Sequence, residues 1–212
     1  MTKHLLSGHA RFRAEYFSGE GDYLRSLARD GQNPSTLFIG CADSRVIPEL
    51  LTTSSPGELF VVRNIANVVP ALADADSSVG AAIDYAVEVL KVPHVIVCGH
   101  DGCGGVKAAL DGINVLAHLT SLHEWLGAVV PAATAARALE PPPAELLKTA
   151  VEENVLQSMS NLITYPPIAR GLAAHTLSLH GWVYDLAHGE VRVYDVFSEE
   201  FIAASRVGET KT

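Results

Sequence analysis

Apolar residues occur in two patterns along this chain. Short, nearly unbroken runs fall at Thr36-Leu-Phe-Ile-Gly-Cys41, Glu58-Leu-Phe-Val-Val-Arg63 and His94-Val-Ile-Val-Cys-Gly99. Runs this short and continuous predict strands, the first and the third of them buried on both faces. Elsewhere the spacing shifts to three and four. Phe12, Tyr16, Leu24 and Leu27 predict a pair of N-terminal helices within residues 9–30, broken near Gly19 and Gly21. Ser77 or Ser78 is placed to cap a helix that carries Val79, Ala82, Ile83, Ala86, Val87 and Leu90 and ends at Val92-Pro93. The glycines after residue 99 release the chain into a helix from about Gly104. Leu116, Leu119, Leu122, Leu126 and Val129 predict one helix over 115–130. Pro141-Pro-Pro143 opens another over 144–164, and Pro166-Pro167 stops it. Residues 176–186 and 190–197 flank His188-Gly189 as a closing β-hairpin.

Strands alternating with helices imply an α/β fold. The expected architecture is a mostly parallel central sheet of four to five strands flanked by helices, with N-terminal helices and an antiparallel edge strand. We expect a single domain over 1–212, with a helical arm at 1–30 and a zinc-binding α/β core at 31–200. At 212 residues and 48% hydrophobic, the chain can bury a large core and does not read as disordered. Its net charge of −9 argues against a phosphate-binding surface, so no nucleic acid partner is expected. Three cysteines are too few and too odd for a disulfide framework; they point to a reducing compartment and to metal or catalytic thiols. The start, Met1-Thr-Lys-His-Leu-Leu-Ser, lacks a long apolar leader, and no stretch reaches the roughly 18 apolar residues of a membrane span. The expectation is a cytoplasmic protein with no membrane partner.

The candidate chemistry sits in Cys98-Gly-His-Asp-Gly-Cys-Gly-Gly105. As a phosphate loop it fails, because Gly105 stands where a lysine is needed. As a dinucleotide fingerprint it fails at Lys107. Metal binding survives. His100 and Cys103 are three apart at a strand-to-helix turn, and Cys41 ends an earlier buried run. Each alone reads as an ordinary core residue. Together they lie at the C-terminal ends of two buried strands, where ligands collect in open α/β sheets. Two thiolates, one imidazole and an open position suit zinc. Cys98, inside the strand, reads as a packed thiol. Asp43 and Arg45 follow Cys41 at i+2 and i+4. They form either a surface ion pair of little weight or a grip that matters to the chemistry. A free Asp43 would take the fourth metal position and close the site; one held by Arg45 leaves that position open.

Cys41-Ala-Asp-Ser-Arg45, Glu58-Leu-Phe-Val-Val-Arg-Asn-Ile-Ala-Asn67 and Gly99-His-Asp-Gly-Cys-Gly-Gly105 resemble the β-class carbonic anhydrases, as do Gly80-Ala-Ala-Ile-Asp-Tyr85 and His180-Gly-Trp-Val-Tyr184. The resemblance implies one Zn2+ per subunit on Cys41, His100 and Cys103, with Asp43 and Arg45 as a catalytic dyad. It implies reversible hydration of CO2 to bicarbonate and a proton by hydroxide on the zinc. Gln32, Phe60, Ile65 and Tyr85 match the substrate-binding positions of the plant-like subtype. The bicarbonate-inhibited subtype carries a tryptophan where Phe38 stands here, although its arginine and tyrosine are matched by Arg63 and Tyr184. Asp101 departs from the family pattern and adds a carboxylate beside two thiolates. The family shares its active site across a dimer interface, so self-association as a dimer or tetramer is implied. Two other readings stand beside this one. One is a zinc hydrolase of carbonyl sulfide or carbon disulfide on the same scaffold. The other is a non-catalytic zinc protein with Asp43 as fourth ligand.

Overall fold

The structure, a computed structural model, describes residues 2–74 and 76–207; the outermost positions of the expected 1–212 domain, 1 and 208–212, lie outside the described residues. In chain order the elements are α1 (Lys3–Arg11), α2 (Phe17–Asp30), β1 (Thr36–Cys41), α3 (Pro48–Thr52), β2 (Leu59–Asn64), α4 (Ser77–Asp84), β3 (His94–His100), α5 (Gly104–Asp111), α6 (Thr120–Gly127), α7 (Val130–Ala138), α8 (Leu146–Leu162), α9 (Pro166–Ala173), β4 (Ser178–Asp185), β5 (Glu190–Asp195) and β6 (Glu200–Ala203). They form one six-stranded sheet in the order β2-β1-β3-β4-β5-β6. β1, β2, β3 and β4 run parallel, and β5 and β6 are antiparallel. Two of the three continuous apolar runs take inner places, every residue of β1 being buried and β3 buried after His94, whereas β2 lies at the edge of the sheet and is half-buried. One face carries the main core, where Leu37, Val97 and Val183 meet Val106, Val151 and Val155 of the helices. The other face carries a smaller cluster of Phe38, Ile96 and Cys98, flanked by Trp182 and Tyr184.

Several expectations change. The sheet has six strands rather than four to five, because Phe201 and Ile202 add β6 in a segment too short to show periodicity. The helix does not break at Gly19 and Gly21. It runs through them in α2, joined to α1 by a π-helical turn over Phe12–Tyr16; a glycine costs a helix only about 1 kcal/mol, too little to end it alone. Asp76 caps α4, accepting from the amides of Ser78 and Val79, in place of the serines. The single helix over 115–130 is a 3-10 turn, then α6, then a restart at α7 with Pro131 in its first turn. Pro166-Pro167 likewise opens α9 instead of only ending α8, since a first helical turn has no use for the missing amide.

One irregular segment positions the site. After β2 the chain passes through Ala66 and Asn67, both at positive φ (62° and 47°). This buried stretch has no strand partner, so its carbonyls need other donors. α8 supplies them. Asn154 Nδ2 donates to Ala66 O (2.8 Å), Ser158 Oγ to Asn67 O (3.3 Å) and Asn161 Nδ2 to Val69 O (2.8 Å). Tyr165, just beyond the helix, donates to Pro70 O (2.9 Å).

Candidate metal centre

Cys41 is the last residue of β1. The register pairs Gly40 with Cys98, so Cys41 stands level with Gly99, and His100 projects one residue beyond. Cys103 comes three residues later, immediately before α5. The two sulfurs and an imidazole nitrogen lie within 4.8 Å of one another, all on buried residues. His100 Nδ1 meets Asp101 O at 3.0 Å. Its Nε2 is buried and has no hydrogen-bond partner among the described residues. Asp43 Oδ2, at 3.8 Å from Nε2, is too far for a hydrogen bond. A buried imidazole nitrogen left free between two sulfurs fits a borderline-soft cation.

The three groups also act on one another's protons. The Cys41 thiol is held well below its ordinary range, first by the hydrogen bond from Cys103, with His100 and the amides of Asp43 and Ala66 adding to it. Cys103 is pushed up, first by its bond to that same Cys41 thiolate and then by burial. Burial acts to lower His100, but Cys41 outweighs it and the imidazole is held above its usual value. Cys98 is a packed thiol outside the cluster, pushed up to about 12 by burial.

Asp43 stands beside the cluster in the grip of Arg45. Arg45 donates to it three times: Nε to Oδ1 (2.9 Å), Nη2 to Oδ2 (2.7 Å) and the backbone amide to Oδ1 (3.0 Å). The Arg45 side chain is the leading reason the Asp43 carboxyl stays well below the usual carboxylate range. Arg63 holds the loop from the next strand, donating to Cys41 O (3.0 Å) and Asp43 O (2.6 Å).

The remaining candidates divide. Ile65 stays close: a Cβ on Gly105 would come within 3.1 Å of it, and Trp125 Nε1 donates to its carbonyl at 2.9 Å. Ala42, Asn64, Ile65 and Trp125 line a cleft of about 580 Å³ beside the cluster. Phe60 and Tyr85 meet each other with ring centroids 5.8 Å apart, but not at this edge. Phe60 pairs with Leu37, four residues before Cys41, or roughly 13 Å along the strand at about 3.3 Å per residue. Gln32 is exposed and precedes the opposite end of β1. One chain therefore does not bring Gln32, Phe60 and Tyr85 to its own metal cluster. Asp101 does not point freely to solvent: Arg192 forks both its oxygens at 3.0 Å. Arg192 and the polar row on α8 carried no motif. Each acts across a long sequence separation from within an unremarkable strand or helix.

A family model described as carbonic anhydrase matches residues 36–191. The chain is similar to a carbonic anhydrase of Synechocystis, 40% identical over 203 residues that cover 94% of this chain and 73% of the relative. It is also similar to one of Pseudomonas aeruginosa, 38% identical over 212 residues covering 98% and 94%. Among solved structures, the β-carbonic anhydrase CcaA superposes with a TM-score of 0.90 at 39% identity, covering 95% of this chain and 98% of that one. A tetrameric β-carbonic anhydrase of Sordaria macrospora gives 0.79 at 30% identity, covering 90% and 95%.

Proposed function

The chain belongs to the β-class carbonic anhydrases and catalyses the reversible hydration of CO2 to bicarbonate and a proton; we propose that it does so with one zinc ion held by Cys41, His100 and Cys103. The observation that carries the metal assignment is the free, buried Nε2 of His100 facing two cysteine sulfurs. When bound, the ion lowers the pKa of a water and so supplies a nucleophile near neutral pH.

The chain's own groups orient that chemistry. Arg45 holds Asp43 at both oxygens, which leaves a carboxylate lone pair to accept a hydrogen from the attacking water. Because Asp43 stays ionised far below neutrality, it acts as an acceptor and not as the proton carrier. The same grip favours an open metal position over the closed, non-catalytic alternative. Ile65 forms one apolar wall. Gln32, Phe60 and Tyr85 complete the substrate pocket from a second copy of the chain, Gln32 through its amide and the two rings as apolar surface. Self-association as a dimer or tetramer also accounts for the arm, where Leu5, Leu6, Phe12 and Tyr16 are exposed and Gly21 is the sole buried residue of α1 and α2.

The pocket reads as the plant-like subtype. Phe38 is fully buried and presents no donor, and Arg63 is engaged by two backbone carbonyls, so an inhibitory bicarbonate loses partners. Three free cysteines suit a reducing compartment such as the cytoplasm. Metal analysis combined with CO2-hydration kinetics from about pH 6.5 to about pH 9 tests the reading, since a metal-activated water titrates near pH 7. Stoichiometric zinc with activity rising through that range supports it. Zinc without hydration at any pH, or hydration without zinc, overturns it.

A further inference from the structure

We propose that Arg192 is a positioning residue for the metal-binding imidazole of His100, acting through Asp101. The inference rests on the zinc reading above and concerns what aims one of its ligands. His100 Nδ1 donates to Asp101 O at 3.0 Å, which leaves Nε2 as the free lone pair. The direction of that carbonyl therefore sets the direction of the ligand. The local chain defines it poorly, because the next residue is Gly102, at φ +69° with open space around it.

Asp101 is anchored from outside its loop. Its amide donates to Tyr184 O on β4 at 2.9 Å. Its carboxylate receives a two-pronged fork from Arg192 on β5, Nη1 to Oδ2 and Nη2 to Oδ1, both at 3.0 Å. Arg192 is itself held by Glu152 on α8, Nη2 to Oε1 at 3.1 Å. These are not loose surface charges: the side chains of Arg192, Asp101 and Glu152 are 14%, 30% and 22% exposed. A planar fork fixes orientation as well as charge, which a point charge does not. It also answers the negative charge that Asp101 brings beside two thiolates. Cutting it frees the Asp101 peptide to turn and leaves a carboxylate unpaired next to the ligand set.

The test uses the full-length, zinc-loaded protein and the variants Arg192→Met, Asp101→Asn and Glu152→Gln. Asp101→Asn keeps the backbone carbonyl but removes the charge and one prong of the fork, so it serves if Arg192→Met fails to fold. The primary readout is the rate of zinc loss to an excess chelator; the second is the absorption spectrum of the cobalt-substituted protein, which reports ligand geometry. Arg192→Met and Asp101→Asn should each lose zinc about ten-fold faster than the wild type, at the lower end of outer-shell effects. The double variant should be no worse than either single, and the cobalt bands should shift alike in all three. Glu152→Gln should keep near wild-type retention and spectrum, because the Asp101 fork remains. Wild-type retention and an unshifted spectrum in Arg192→Met overturn the proposal. So does a Glu152→Gln variant that loses zinc as fast as Arg192→Met, which would make Arg192 a brace between α8 and β5. A metal-free wild type overturns this proposal together with the zinc reading, whereas a zinc-loaded wild type with an indifferent Arg192→Met overturns this proposal alone.

Discussion

Gly99 immediately precedes His100 of the cluster, and Gly99→Ala is the sharpest test of how the site is seated. A Cβ at this position would lie 2.9 Å from Val155 Cγ2 and 3.0 Å from Val151 Cγ1, both on α8. Comfortable carbon contacts are about 3.5–4.0 Å, so something must move by about 0.5–1 Å. β3 is held between β1 and β4 along its length, and the two valines are 0% and 1% exposed. The strain therefore falls on α8. Overpacking of this kind costs about 1–3 kcal/mol; a mid-range loss of about 2 kcal/mol lowers Tm by roughly 4–8 °C in a chain of this size. The same helix holds the carbonyls of Ala66 and Asn67 beside the site, so its displacement reaches the metal edge. A shift approaching 1 Å there should cut CO2 hydration by up to about 100-fold.

Val155→Ala in the same chain removes one of the two clashing methyls. Alone it leaves a cavity and costs about 1–3 kcal/mol. Combined with Gly99→Ala it should recover part of the loss, with a coupling energy of about 0.5–3 kcal/mol. Thermal melts of the four proteins, paired with stopped-flow hydration, measure both quantities. A Gly99→Ala protein as stable and active as wild type, or a double variant whose loss equals the sum of the singles, refutes the packing argument.

Three further outcomes are expected. Asp43→Asn should lower hydration about 10–100-fold while zinc content by elemental analysis stays stoichiometric; an emptied metal site would mean that Asp43 is a ligand. Cys103→Ala should lose zinc, whereas Cys98→Ala should keep it and cost only about 1 kcal/mol in denaturant melts, and the reverse pattern would reassign the ligand set. At the β4–β5 turn, the hydrogen bond between Asp185 and His188 raises His188 and lowers Asp185. The raised His188 stabilises fully below its unfolded value and loses that effect as pH rises through its folded value, while the lowered Asp185 stabilises above its own unfolded value. The pair thus contributes between the unfolded values of about 3.9 and 6.5. His188→Ala should lower Tm at mildly acidic pH and leave it unchanged in alkali, so a larger gap in alkali would contradict the assignment.

The parts of this molecule that could be read from its sequence are those whose physics is local. β1 has the bounds its apolar run predicted, β2 is shifted by one residue, and β3 extends one residue further to include His100. The Cys41, His100 and Cys103 cluster was legible because two of its members share one turn and the third ends a buried strand. Asp43 and Arg45 were legible because they are two residues apart. Element ends were misread where one proline or glycine carries two meanings. Pro166 both stops α8 and starts α9, and Gly19 is affordable inside a helix with good formers around it. The second layer of the site had no such local signature. Arg192 reaches Asp101 across 91 residues, and Asn154 reaches Ala66 across 88. Nothing in a strand reading Glu-Val-Arg-Val-Tyr-Asp says that its arginine turns toward a distant loop.

Strand polarity separates Gln32 and Phe60 from the cluster of their own chain. Parallel strands place their C-terminal ends at one edge, and Cys41 and His100 both ride on such ends. Phe60 sits near the start of β2, and Gln32 comes before the start of β1, so the same polarity sends them to the opposite edge. No side-chain rotamer closes a gap set by the length of a strand. If Gln32, Phe60 and Tyr85 do touch the substrate, they must do so at another subunit's metal, and the exposed apolar arm provides surface for bringing one near. Activity should then fall with dilution wherever dissociation can be detected by sedimentation, while zinc stays bound, since all three proposed ligands belong to one chain. A fully active monomer would remove those three residues from the reaction and leave Ile65 and the Asp43–Arg45 pair to define the pocket.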